Sequence, residues 1–320
     1  QVVILNTGAI ITPEDVAMLQ ALYSRSPASI DEHLKKLAEV GSGKFMENFY
    51  VRYGHKSIGD CGDTAVFIEG VSMLVAKVIQ DTMLYRGQEC STRYLDFSKQ
   101  PFLDPIDYVE SRALLLDLRG FYFDTMPAVK RHVSEQFSRQ EGEDEKTYEK
   151  AVAARAFDIM RSFLPAGALT SLSWTTDLRH AADRLMLLRH HPLEEVKEVA
   201  KALESALQEA HPHSFNHKLY PETEEFNEMW MNDGYYLDLY EGGNWKDEVS
   251  LFFDGINRET LSSYRKILES RPPKTDLPKK IGRSGVSQFR WKMDFGSYRD
   301  LQRHRAVIQP MPLLSPEMGF

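Results

Sequence analysis

Two cysteines, Cys61 and Cys90, in 320 residues leave no basis for a disulfide framework and fit a reducing compartment. Glycine-rich phosphate loops are missing as well. Nothing matches a dinucleotide fingerprint or a Walker motif, so any nucleotide or flavin must be held by other means. Long hydrophobic runs are absent: the longest apolar stretches, residues 72–79 and 113–118, fall far short of a membrane span and are flanked by charge. No leader segment is visible, and the expected location is the cytoplasm, with no membrane partner. Positive charge is in deficit, 39 Lys and Arg against 47 Asp and Glu, a net charge of −8. That excludes a general nucleic-acid binder, which needs a basic face, but allows a local basic pocket. Metal-ligand spacing is also lacking. His190, His191, His211, His213 and His217 have no cysteine or carboxylate at ligand spacing, so no metal site is expected.

What is present is mostly helical. Thr12-Pro13-Glu14-Asp15 starts a helix, with Thr12 as cap, proline at the first position and carboxylates in the first turn. Further helices are predicted over 29–40, 45–53, 72–80, 108–137, 148–163, 177–188 and 193–210, and over 248–268. Strands are predicted at 2–5, at 64–68 and at 287–295, where Phe289, Trp291, Met293 and Phe295 alternate with polar residues. Strands and helices together predict an α+β fold, mostly helical, with small sheets packed on helices. From residue 211 to 247 the composition turns acidic and aromatic, with Pro212, Pro221, Gly242 and Gly243, which predicts a domain link. The expected division is 1–217, a link over 218–247, and 248–320.

Two segments carry chemistry. In the first, Gln88-Glu89-Cys90-Ser91-Thr92-Arg93-Tyr94, an acceptor, two hydroxyls and a guanidinium fall within a short turn-like span. A guanidinium fork suits phosphate, and Ser91 reads as a hydrogen-bond donor, because no histidine and aspartate are placed by sequence to make it a nucleophile. The plain alternative is a surface loop with an ordinary salt bridge. In the second, Arg299, Arg303, His304 and Arg305 crowd one helix end. The plain alternative there is a basic turn that complements the helix dipole.

Gly54-His55-Lys56-Ser57, Glu69-Gly70-Val71-Ser72, Ser91-Thr92-Arg93-Tyr94, Leu164-Pro165 and Arg303-His304-Arg305 together resemble the flavin-dependent thymidylate synthases. In that family a helix ending in Arg-His-Arg is followed by a Ser-x-Arg-Tyr loop. In the first half of this chain the triplet position holds Asp81-Thr82-Met83. The triplet appears instead at Arg303-His304-Arg305, where Ala-Val-Ile-Gln-Pro-Met-Pro follows in place of the loop. The pattern resembles a tandem, two-copy form with complementary losses. Its second copy, 248–320, is incomplete, and the ends predict that the chain is part of a longer protein.

The resemblance implies reductive methylation of dUMP to dTMP, with FAD as cofactor and NADPH and methylenetetrahydrofolate as co-substrates. By position it implies Arg93 and Arg303 as catalytic residues. Gln88, Glu89, Ser91, Thr92, Arg93, Arg299 and Lys197 would bind the nucleotide, and His55, Ser57, Asp60, Arg179, Arg303, His304 and Arg305 the flavin. One composite site would form between the loop at 89–94 and the helix end at 299–305, in a homodimer of tandem chains standing for the family's tetramer. Departures are Cys61 for histidine, Asp60 for glutamate, Ser171 for arginine, Asp177 for asparagine and Asp300 for glutamine. They leave two alternatives open, a non-catalytic nucleotide- or flavin-binding paralogue and a flavin enzyme acting on another pyrimidine nucleotide.

Overall fold

A computed structural model describes residues 1–4, 11–240, 249–309, 311 and 313–314. Leu5, expected to close the first strand, and Trp245, in the acidic stretch, lie outside the described residues, as does the Tyr94 side chain. The fold is α+β and mostly helical, with small antiparallel sheets.

The chain divides into two compact units, Gln1–Leu239 with Phe295–Leu313, and Tyr240–Asp294 with Leu314–Phe320. These boundaries differ from a division at 217 and 247. Most of the expected link is helix, because Pro221 pre-sets the first helical φ and Glu222 and Glu224 favour the positive end of the dipole.

In the larger unit a four-stranded sheet runs in the order β1-β2-β4-β3, formed by β1 (Val2–Ile4), β2 (Asp63–Ser72), β3 (Arg86–Glu89) and β4 (Leu169–Asp177), with every pair antiparallel. Thr170, Leu172, Trp174 and Thr176 of β4 alternate inward, the period of two that a one-sided core imposes. Helices α1 (Pro13–Tyr23), α2 (Ile30–Val40) and α3 (Gly43–Phe45) precede a π-helical segment at Met46–Arg52. Thr12 caps α1 in a capping box with Asp15, as its spacing predicts.

Helix α4 (Met73–Gln80) follows β2 without a loop. Ser72 makes this possible: its hydroxyl accepts from the Val75 amide at 3.1 Å and donates to Glu195 at 2.6 Å. Val75, Val78 and Ile79 then face the main core beside Trp174, Leu178 and Leu203. Beyond β3 come α5 (Val109–Gln136), which carries Pro127 inside it, α6 (Glu145–Met160), α7 (Leu178–Leu188), α8 (Glu194–Ala210) and α9 (Pro221–Tyr240). A second core cluster, with Met73, Phe97, Tyr122 and Met160, fills the space under α5 and α6.

The smaller unit holds a hairpin of β5 (Val249–Asp254) and β6 (Ser287–Trp291) and two short helices, α10 (Arg258–Ser262) and α11 (Arg265–Glu269). The apolar run at the start of the expected 248–268 helix is thus a strand. It stops at Gly255, where a Cβ would meet the Phe253 ring at 2.7 Å. The last helix, α12 (Phe295–Leu301), belongs to the larger unit, where Tyr298 packs on the main core.

Candidate active site

The sequence leaves one charge inside the apolar helix α4, Lys77, and burial makes it the centre of a cluster. Lys77 Nζ lies 2.6 Å from Glu89 Oε2, and Arg299 Nη2 of α12 lies 2.5 Å from Glu89 Oε1. Gln80 Nε2 donates to the same carboxylate at 2.9 Å. The three charged side chains are 1 %, 5 % and 9 % exposed for Lys77, Glu89 and Arg299. Two cations around one anion in so dry a place are costly unless well hydrogen-bonded; Glu89 is met on both oxygens, whereas Arg299 Nε is buried without a hydrogen-bond partner among the described residues. Burial works against charge on Glu89, but Lys77 and Arg299 outweigh it and hold its carboxyl below the usual range. Burial pulls the Lys77 ammonium below its ordinary value, and Glu89 opposes that shift. Both carboxylate oxygens of Glu89 are engaged by protein. This glutamate therefore fastens α12 to β3 rather than offering a free acceptor to a ligand. Gln302 adds a second tie, donating to the Lys77 carbonyl at 3.0 Å.

The fastening creates a cavity of about 300 Å³ between the two segments singled out by sequence. Gln88, Glu89 and Ser91 form one wall and Gln302, Arg303 and Arg305 the other. The volume lies at the small end of ligand pockets, which run from about 300 to 1,000 Å³. Gly87 is required on the first wall: a Cβ there would lie 1.9 Å from the Ser173 carbonyl oxygen and 2.6 Å from the Tyr85 hydroxyl. Arg305 is held with its guanidinium 5.9 Å above the Tyr85 ring. Two exposed arginines on one wall give the cavity an anion-attracting side.

Other expected residues are placed differently. Arg93 sends Nη2 to both oxygens of Asp158, each at 2.6 Å, and is not among the residues lining the cavity. Asp158 is 3.8 Å from Arg161, Arg161 is ion-paired with Asp300, and Asp300 is 3.8 Å from Arg303. The row Arg93, Asp158, Arg161, Asp300, Arg303 alternates in sign and joins the loop to the second helix end. Burial works against charge on Asp300, yet Arg161 and Arg303 hold its carboxyl below the ordinary value. The acid at position 300 is thus neutralised from both sides. Ser91 caps a single 3-10 turn, accepting from the Arg93 amide at 3.3 Å, and Thr92 is buried.

His55, Ser57, Asp60 and Arg179 lie apart from this cavity, around the 3-10 segment Lys56–Cys61. Arg179 Nε pairs with Asp60 at 2.6 Å, and Lys56 with Asp183 at 3.0 Å. Burial pushes the Asp60 carboxyl up, and Arg179 opposes it. Lys197 pairs with Glu194 on α8 and lines no part of the cavity. His304 is exposed, and its carbonyl accepts from Gln309 at 2.9 Å. Among the described residues there is no cluster of three or more metal-ligating side chains, and no described helix is long and apolar enough to cross a membrane.

Sequence reasoning missed Lys77, Gln80, Gln302, Asp158 and Arg161. Lys77 carried a signal, a lone charge within Met-Leu-Val-Ala-Lys-Val-Ile. Asp158 and Arg161 sit on an unremarkable polar face of α6 and its 3-10 extension, and carried none.

The family model described as thymidylate synthase complementing protein matches residues 11–213. The chain belongs to that family. The matched range contains α4, β3 and the loop at 89–94, and ends before α12. Among curated relatives of this thymidylate synthase complementing protein family member, an UPF0159 protein of Chlamydia pneumoniae is 29 % identical over 328 residues, covering 86 % of this chain and 62 % of its own length. An UPF0159 protein of Chlamydia muridarum is 26 % identical, covering 88 % of this chain and 64 % of its own length. The chain therefore spans less than two thirds of the length of these relatives. Among solved structures, Thymidylate Synthase X from Helicobacter pylori with FAD and dUMP aligns at 17 % identity and a TM-score of 0.40, covering 68 % of this chain and 97 % of that one. A UMP/dUMP methylase from Streptomyces cacaoi bound with 5-Br UMP aligns at 13 % identity and a TM-score of 0.38, covering 67 % and 92 %.

Proposed function

We propose that the protein acts as a flavin-dependent thymidylate synthase, methylating dUMP to dTMP with methylenetetrahydrofolate as one-carbon donor and NADPH as reductant. The nucleotide occupies the composite site between the loop at 89–94 and the end of α12. The observation that carries this reading is the meeting of Gln88, Glu89 and Ser91 with Arg303 and Arg305 around one cavity, although more than two hundred residues separate the two walls. Ser91 and Arg305 are suited to a phosphate or a polarised uracil oxygen, since fixed positive charge in a partly dry site stabilises charge developing on the ring. Arg303 and Arg305 also fit an anionic cofactor, and bound FAD would supply the hydride. His55, Ser57, Asp60 and Arg179 do not share that cavity, so the fit to FAD rests on the α12 end alone. Two tandem copies, a homodimer of chains and a cytoplasmic location complete the reading.

The test is the visible absorption spectrum of the protein with FAD, before and after dUMP, followed by tritium release from carbon-five-labelled dUMP. A bound-flavin spectrum that shifts on nucleotide addition, with tritium release, is the expected result. Flavin binding without tritium release selects the second reading, a non-catalytic nucleotide- or flavin-binding paralogue. Asp81, Thr82 and Met83 at the triplet position of the first half, and Arg93 held by Asp158, favour that alternative.

A further inference from the structure

The deficit of positive charge belongs to the whole chain and not to its smaller unit. Residues 249–294 hold ten Lys and Arg against five Asp and Glu, in a chain whose net charge is −8. Arg258 is held by Asp254 and Arg265 by Glu269. Lys279, Lys280, Arg283 and Lys292 are exposed and have no ion-pair partner among the described residues. Three of these four lie in one 3-10 segment, Lys279–Ser284, which is clamped to the β5–β6 hairpin. The Asn257 amide donates to the Ser284 carbonyl at 2.6 Å, and the Gly255 amide to the Val286 carbonyl at 2.9 Å. Gly285 makes the clamp possible: its φ is +127°, and a Cβ would lie 2.2 Å from the Gly255 carbonyl oxygen. The strand that this segment feeds carries flat rings. Alternation along β6 puts Phe289 and Trp291 on one face, with Leu251 of β5 opposite Phe289 in register. The two rings are nearly parallel plates, their centroids 5.5 Å and their planes 14° apart, and neither belongs to a core cluster. Phe289 is 48 % exposed, Trp291 43 % and Leu251 52 %.

We infer that the smaller unit binds a single strand of nucleic acid, its bases stacking on Phe289 and Trp291 and its phosphates meeting Lys279, Lys280, Arg283 and Lys292. A single strand supplies both halves of what this surface offers to meet, planar π-faces and regularly repeated negative charge. Bases in a duplex are stacked on each other and present no face to the plates. A lipid surface or a sulfated polymer answers the charge alone. Plates and cations address base faces and phosphates, which DNA and RNA strands share, so the sugar is not read. None of these residues lines the nucleotide cavity, and the inference stands whether or not that cavity takes dUMP.

Fluorescence anisotropy follows labelled oligo-dT and oligo-U strands of about twelve nucleotides, titrated with the whole chain in saturating dUMP. Both strands should bind alike, and affinity should fall about tenfold between about 50 and 200 mM salt, the loss for two or three neutralised phosphates. Phe289→Leu with Trp291→Leu keeps the apolar bulk but removes the plates. That variant should weaken the strands by about tenfold or more and leave heparin, an anion without rings, bound as before. Trp291→Phe keeps a plate and should retain most of the affinity. Lys279→Glu with Lys280→Glu should weaken strands and heparin together. No binding at low salt, displacement by dUMP, equal binding of a duplex of the same length, or indifference to the leucine variant would each overturn the inference. So would equal losses in Trp291→Phe and Trp291→Leu. Binding to phosphatidylserine vesicles in preference to strands, or a concentration-dependent dimer that the leucine variant abolishes, gives the face to a lipid surface or a second copy and overturns it as well.

Discussion

Arg299 Nη2 meets Glu89 Oε1 at 2.5 Å across 210 positions of sequence. With Lys77 on the other oxygen, this carboxylate is the fastening on which the composite cavity depends. Glu89→Ala leaves two buried cations without their anion, and unfolding free energy should fall by about 3–5 kcal/mol, the range for breaking a buried pair. Lys77→Met leaves Arg299 paired and should cost markedly less. Urea unfolding of both variants checks the order, and equal losses would refute the fastening.

Arg303→Ala with Arg305→Ala removes the basic wall without touching the buried cluster. Flavin and dUMP binding should drop by at least about a hundredfold together, given about 1.5–3 kcal/mol for each charge-assisted hydrogen bond. The melting temperature should stay within a few degrees. Retained flavin binding in the double variant would show that the site does not span both segments.

Arg93 is occupied by Asp158. Asp158→Asn loosens that hold, and dUMP affinity should rise, whereas Arg93→Ala should lower it by about tenfold or more. Calorimetric titration of the two variants separates a guanidinium that turns to the ligand from one that serves only as a brace.

His191 and His211 are buried and drawn down to about 4, chiefly by desolvation; His211 Nε2 keeps a 2.9 Å contact with the Thr64 hydroxyl. The folded values lie below the unfolded value of 6.5. The unfolded chain therefore binds these protons first as pH falls, and stability is lost between about pH 6.5 and 4. Each histidine contributes a slope on the order of 1 kcal/mol per pH unit. Chemical unfolding across that range should show the decline, and His211→Gln should reduce the slope.

Helix starts were legible because their signals are local. Thr12 and Ser72 cap α1 and α4 as their spacing predicts. Strand β4 was not legible: Leu-Thr-Ser-Leu-Ser-Trp-Thr-Thr-Asp puts hydroxyl groups at its inward positions, so apolar alternation is diluted although Thr170 and Thr176 are buried. The basic residues of α12 were visible, and so was the loop at 89–94. What sequence could not give was the use of each charge. Glu89 and Arg93 read as ligand contacts, yet their partners Lys77 and Asp158 come from other elements; Lys77 stood out as a lone charge in an apolar helix without showing which acid it would meet, and Asp158 carried no signal.

The alternating row from Arg93 to Arg303 carries its own counter-ions. On the proposed reading, a phosphate in the cavity reaches Arg303 only in exchange with Asp300, one carboxylate leaving as one anion enters, while Arg305 stands outside the row. Few dissolved ions need to be expelled in such a swap. Affinity should therefore respond only weakly to added salt, unlike that of an open basic surface, and the selectivity of the site is set by which anion matches the geometry the carboxylates already hold.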